Sequence, residues 1–400
     1  MPEASASQQS TTAIRPFRVD IPEAELVELR NRINATRWPE RETVIDDSQG
    51  VQLATMQKLA SYWATKFDWR KVESRLNSYP NFITEIDGLD IHFLHVRSEH
   101  ENALPIIITH GWPGSIIEQL KIIDPLVNPT AHGGTPADAF DVVIPSMPGY
   151  GFSGKPTAFG WGPNRIARAW ITLMQRLGYT RYVAQGGDWG ALITDLMGVA
   201  APPELLGIHT NMAGAVPPEI SKALQGGPLP ANLTVEEKHA FERLDFFYKT
   251  GVGYALEMGN RPQTLYGIAD SPIGLAAWIL DHDQLSYRLI ARVFDGESEG
   301  LTRDDILENI TLYWLTNTGV SSARLYWENK LAFFDPKQVA IPVAVSAFGE
   351  EIYQAPRSWA ERAYPKLIHY NKHDKGIHFA AWEQPKLLSD DVREAFRSLR

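Results

Sequence analysis

An α/β chain is predicted: a mostly parallel sheet with helices on both faces, a helical cap and an N-terminal wrapping extension. Three observations carry this. From about residue 81, short apolar runs of strand composition alternate with helical patterns. The alternation stops near 216 and resumes near 335, so the helical stretch between reads as an insertion. Residues 1–80 have helical patterns without alternation. The expected parts are therefore 1–80, 81–215, 216–334 (cap) and 335–400, the second and fourth forming one core.

In chain order, residues 1–10 are polar and read as disordered. Residues 17–21 read as a short extended piece. Pro22 opens a helix through Leu26, Leu29 and Ile33. A second helix is expected from about Gln52 to Lys66, after a loop at 37–42. Residues 82–86 and 89–95 flank Asp87-Gly88, a hairpin signal. A buried strand at 105–109 precedes a helix from Ser115 to about Ile123, and residues 141–144 form the next strand. A helix over 164–177 ends before Gly178, which suits its C-terminal cap. Strands follow at 181–184 and 206–210. The cap patterns are interrupted by loops at 226–230 and 296–300. Strands at 343–346 and 366–369 and a helix over 385–399 complete the core.

The 400 residues suffice for a large core, and 44% hydrophobic with 22% charged is ordinary for a globular protein. A net charge of -10 without a basic run argues against nucleic acid or anionic membrane as partner. The absence of cysteine excludes disulfides and thiolate chemistry. No apolar run reaches the roughly 20 residues of a membrane span, and the start has no signal core. A soluble, cytoplasmic protein is expected.

Chemistry concentrates at Gln185-Gly-Gly-Asp-Trp-Gly190, between a strand and a helix. That is the layout of a nucleophile elbow, whose glycines permit a strained turn that lifts one side chain above the sheet edge. The side chain here is the Asp188 carboxylate, which can attack saturated electrophilic carbon and leave an ester. A plain helix cap is the competing reading. His110-Gly-Trp-Pro-Gly-Ser115 follows a buried strand, where such sheets donate an oxyanion-hole amide; the second donor would be the Trp189 amide. Chain order then calls for an acid and a histidine. Glu350 and Glu351 follow the strand at 343–346. His378, in a glycine loop entering an apolar segment, is favoured over His373, and the spacing of His369 and His373 does not make a metal site. Gly149-Tyr-Gly-Phe-Ser-Gly154 spells a dinucleotide fingerprint, but Lys155-Pro156 follows instead of a helix, and no acid lies between 155 and 187. A protonating phenol could come from Tyr248, Tyr254, Tyr266, Tyr287, Tyr313 or Tyr326.

Over nearly its whole length the chain resembles the microsomal-type epoxide hydrolases, soluble microbial members of the α/β-hydrolase superfamily included. Segments 17–22, 67–69 and 85–93 carry the resemblance, with 110–115 and 185–190 its most specific pieces. The resemblance implies an α/β-hydrolase fold, Asp188 as nucleophile and His378 as water-activating base. It implies Glu351 as the acid, counted from Pro356-Arg-Ser-Trp359, and Tyr254 and Tyr313 as the cap tyrosines. Trp112 and Trp189 would supply the oxyanion amides. Ile377 stands where the family usually has a second glycine before the histidine. The implied reaction opens an epoxide through an alkyl-enzyme ester and yields a vicinal diol, with no cofactor and no metal. The partners expected are a small-molecule epoxide and water, with no nucleic acid and no membrane; a homodimer is left open. A haloalkane dehalogenase, a non-catalytic relative and an interaction protein are the rival readings.

Overall fold

The computed structural model describes residues 12–297 and 300–400. The expected disorder of residues 1–10, and two positions of the 296–300 loop, lie outside them. Nine strands form one sheet: β1 (Arg15–Pro16), β2 (Asn81–Ile86), β3 (Leu89–Val96), β4 (Leu104–Thr109), β5 (Phe140–Pro145), β6 (Tyr182–Gly186), β7 (Leu205–Thr210), β8 (Val343–Ala347) and β9 (Leu367–Lys372). Their spatial order is β1-β2-β3-β5-β4-β6-β7-β8-β9. The first three pairings are antiparallel and the other five parallel. In the β2–β3 hairpin, Asp87 and Gly88 both have positive φ, 53° and 78°, as the paired signal requires. β4 and β6, at the centre, are buried almost throughout, and their apolar residues at 106–108 and 182–184 run without alternation because both faces are covered.

Helices α1 (Glu23–Asn34), α2 (Leu53–Thr65) and α3 (Trp69–Ser78) form the N-terminal extension. α4 (Ile116–Val127), α5 (Pro163–Arg176) and α6 (Trp189–Ala200) belong to the core. The amphipathic spacing of α5 buries Ile166, Ala167, Trp170, Leu173 and Met174. The insertion between β7 and β8 is α7 (Pro218–Leu224), α8 (Val235–Phe246), α9 (Gly253–Asn260), α10 (Tyr266–Asp270), α11 (Pro272–Leu280), α12 (Gln284–Asp295), α13 (Arg303–Leu315) and α14 (Gly319–Glu328). α15 (Arg357–Ala363), α16 (Ala380–Glu383) and α17 (Pro385–Ala395) complete the core. Among the described residues no helix is long and apolar enough to cross a membrane.

Four details differ from the sequence expectations. The short strand that joins the sheet here, Arg15–Pro16, lies directly before the extended piece at 17–21 and was not anticipated. α3 was not anticipated, although Asp68 caps it by accepting from the Arg70 amide at 3.0 Å. α4 continues through Pro125 to Val127, since its buried face extends over Pro125 and Leu126. The final helix stops at Ala395, and a short 3₁₀ turn takes up Arg397–Leu399.

The extension is tied to the cap. Trp63 Nε1 donates to the buried Thr311 hydroxyl on α13 at 2.9 Å. The Gln52 amide donates to the Tyr287 hydroxyl at 2.9 Å, and Arg288 grips Asp47 with bonds of 2.6 and 3.0 Å. The cap is thus held from below by β7 and β8 and from the side by α2 and its preceding loop.

Candidate active site

The turn from β6 to α6 places Asp188 at φ 51°, ψ −126°, a region that non-glycine residues rarely occupy. Close packing forces this. A Cβ on Gly190 would sit 2.0 Å from the Thr109 carbonyl oxygen, and one on Gly111 2.4 Å from Asp188 Cβ. Only hydrogen at these two positions lets the turn after β4 approach the turn after β6. That approach lets the Trp112 amide donate to Asp188 Oδ1 at 2.7 Å. Trp189 is the first residue of α6. The segment 149–154 forms turns, and no helix begins before Pro163.

The turn at 110–115 is pinned by α13. Asn309 Nδ2 donates to the Pro113 carbonyl at 2.7 Å, and the Tyr313 hydroxyl donates to the Gly114 carbonyl at 2.6 Å. His110 stays neutral, pushed down to about 4 by burial, and its Nε2 accepts from the Met147 amide at 3.1 Å.

His378 follows β9 on the loop into α16. Its Nε2 lies 3.3 Å from Asp188 Oδ2 without an aligned hydrogen bond, and its Nδ1 is in close contact with Glu351 Oε1. Glu351 Oε1 also accepts the Ile352 amide at 2.7 Å. Asp188, Glu351 and His378 are all buried. Burial alone would lower His378, but the Glu351 charge, then Asp188, raise it well above the ordinary imidazole range. Burial also works against the Asp188 charge, yet His378, then His282, then the Trp112 amide hold it below the usual carboxylate range.

Of the two candidate acids, Glu350 is exposed and its amide pairs with the Gly376 carbonyl at 2.9 Å; Glu351 is the one that faces His378. His373 is turned away, with Nε2 on Asp391 at 2.6 Å and its ring stacked on Phe348.

The tyrosines separate. Tyr254 is buried, its ring stacked on Trp112 at 5.1 Å. Tyr326, half-buried, lies edge-on to Trp189 at 4.7 Å and to Trp112 at 5.7 Å, with its centroid 6.0 Å from that of Tyr254. Burial first, with Asp188 adding, raises both phenols well above their ordinary value, so both remain protonated donors. Tyr313 departs from the expectation that it pairs with Tyr254. Its ring packs beside Tyr150 at 6.2 Å and its proton is committed to Gly114.

Two further side chains escaped the sequence reading. Glu118 is buried on α4 and raised well above its usual value by burial, then by Asp188. His282, between α11 and α12, has its ring 4.5 Å from that of His378. Neither lies in a motif. Among the described residues, Asp188, His282 and His378 form a group of three that could hold a metal ion.

Comparison with known proteins follows this geometry. A family model described as "Epoxide hydrolase N terminus" matches residues 14–119, and one described as "alpha/beta hydrolase fold" matches residues 105–228. A Stigmatella aurantiaca protein carrying an epoxide hydrolase name is 51% identical over 388 residues, 97% of this chain and 86% of the relative. Epoxide hydrolase 1 of Oryctolagus cuniculus is 37% identical over 405 residues, 95% of this chain and 88% of the relative. Among solved structures, the juvenile hormone epoxide hydrolase of the silkworm Bombyx mori superposes with a TM-score of 0.85 at 31% identity, covering 97% of this chain and 96% of that one. The Aspergillus niger epoxide hydrolase gives 0.80 at 31% identity, covering 98% and 97%.

Proposed function

The chain belongs to the epoxide hydrolases of the α/β-hydrolase superfamily, and from that premise we propose that it opens epoxides through a covalent ester on Asp188. The observation that carries this is the strained Asp188 carboxylate, held by the Trp112 amide and 3.3 Å from the His378–Glu351 pair. In the first step a carboxylate oxygen of Asp188 bonds to an epoxide carbon and the ring C–O bond breaks. The developing alkoxide takes a phenol proton.

Tyr254 and Tyr326 are the donors we assign, in place of Tyr254 and Tyr313. The support is hydrogen bonding: Tyr313 holds the Gly114 turn, while Tyr326 stands with Tyr254 against the two tryptophans next to Asp188.

Alkylation switches the base on: once Asp188 is an uncharged ester, one of the two carboxylates that raise His378 is gone, burial favours the neutral ring, and the imidazolium proton passes to the phenolate before water attacks. In the second step water gives a proton to His378 Nε2 and attacks the ester carbon. The Trp112 and Trp189 amides hold the oxyanion. Collapse frees the diol oxygen, which takes the water's proton from His378, and the Asp188 carboxyl proton then returns to His378. No charge or proton is left over.

The test is purified protein with a panel of aryl and terminal epoxides and haloalkanes. Diol should form from epoxide. Tyr254→Phe and Tyr326→Phe should each cost about 1–3 kcal/mol in the alkylation barrier. Halide release without diol from any epoxide would contradict the reaction, and unchanged alkylation in Tyr326→Phe would return the role to Tyr313.

A further inference from the structure

His282 has no part in the reaction above, yet it is built into the site. It is 2% exposed, its Nδ1 lies 3.1 Å from Asp283 Oδ2, and its Nε2 is buried without a partner. His378 repeats the pattern, with Nδ1 on Glu351 and Nε2 3.3 Å from Asp188 Oδ2 without an aligned hydrogen bond. A carboxylate on one ring nitrogen is what fixes the tautomer and orientation of a histidine that binds metal through the other. Here two such pairs meet at a third carboxylate. One ligand atom from each of Asp188, His282 and His378 lies within 4.8 Å of the other two, and all three side chains are buried. Ligands about 2.1 Å from a tetrahedral ion stand roughly 3.4 Å apart, so closing this set takes side-chain movements of about an ångström. Asp283 caps α12 by accepting from the Ser286 amide at 2.8 Å, which anchors the carboxylate behind His282. A cavity of about 400 Å³ reaches His282 from outside. Asp47, Asp281 and Asp283 lie in its wall, with Arg243 as the cation among its lining residues.

We propose that Asp188, His282 and His378 form a zinc site that switches the enzyme off. The ion takes both imidazole Nε2 atoms and a carboxylate oxygen, leaving a fourth position to water. While it is bound the carboxylate cannot attack and His378 cannot accept a proton. The inhibitory consequence rests on the roles proposed above for Asp188 and His378; the binding does not.

The experiment titrates metal-free full-length protein with Zn²⁺ in a calorimeter, and with Co²⁺ while recording visible absorption. In parallel, epoxide turnover is measured with and without Zn²⁺, then after adding a chelator. One ion per chain should bind with the intense bands of tetrahedral cobalt, and turnover should fall in proportion and recover with chelator. His282→Gln should weaken Zn²⁺ binding by more than roughly tenfold and shift the inhibition curve by the same factor. Asp188→Asn, read by calorimetry alone, should also bind more weakly. Equal zinc sensitivity of wild type and His282→Gln would overturn the site, as would no stoichiometric binding to folded wild type. If the protein turned over no epoxide, the calorimetric and cobalt readings would still decide the site, and only the proposed reaction would fail.

Discussion

His378 is raised by two carboxylates against the lowering effect of burial, and this sets a pH prediction. Removing the Asp188 charge should lower its pKa. A nitrogen NMR titration should find the imidazole charged to higher pH in wild type than in Asp188→Asn; an unchanged or higher value in the variant would mean that Asp188 does not govern the base. Residue by residue, the motifs reveal what a fixed local spacing encodes. The Asp188 and Trp112 turns were legible because glycines flank them on both sides, and His378 through chain order and the single glycine, Gly376, that precedes it. The choice between Glu350 and Glu351 was not legible from the strand alone, since adjacent residues point to opposite sides and the loop's path decides which faces inward. The tyrosines show the limit more plainly. Leu-Tyr-Trp occurs twice, at 312–314 and 325–327, and only packing tells that the first copy reaches Gly114 and the second Trp189. His282 and Glu118 come from helix ends and faces with no motif, so nothing local announced them.

At the level of elements, the elbow is a contact between two turns as much as a turn. A Cβ at Gly190 would meet backbone, the Thr109 and His110 carbonyls, which cannot swing aside as a side chain would. Gly190→Ala should therefore cost on the order of 3 kcal/mol or more, or yield no folded protein. Gly178 has φ +81° and open space around it, so Gly178→Ala should cost only about 1 kcal/mol. Urea midpoints compare the two, and equal costs would show that β4 and α6 tolerate separation. Strands and long helices were readable from periodicity, because burial on one or both faces imposes it. α3 was missed despite its Asp68 cap and the buried series Trp69, Val72, Leu76; it follows α2 after so short a break that the two patterns merge.

Across the whole molecule, the cap is a long insertion whose two stems must be held together. The Val216 amide donates to the Phe334 carbonyl at 3.0 Å. Beneath them, Tyr364 joins α6 to the first stem: its hydroxyl accepts from the Gly214 amide at 3.1 Å and approaches both oxygens of Asp195, at 3.2 and 3.1 Å. Burial pushes Asp195 up to about 7, against the lowering effects of Lys337 and Tyr364. A carboxyl raised above its unfolded value of about 3.9 favours the native state at low pH. That stability is full below about pH 4 and is lost as pH rises through about 7. Asp195→Asn has no such proton to lose. The wild type should thus lose on the order of 2–4 kcal/mol more than the variant between about pH 5 and about pH 8, as read by urea unfolding; parallel pH profiles would contradict it. The alternation and its interruption revealed core and cap. They could not reveal this clamp, whose members lie far apart in the chain.

The covalent ester on Asp188 is tested most directly by one turnover in heavy-oxygen water, with enzyme in excess over epoxide. If Asp188 is the nucleophile, the first diol carries mostly ordinary oxygen and the label enters the peptide containing Asp188, because water attacks the carboxyl carbon. Label appearing in the first diol, with the Asp188 peptide unlabelled, would contradict the account.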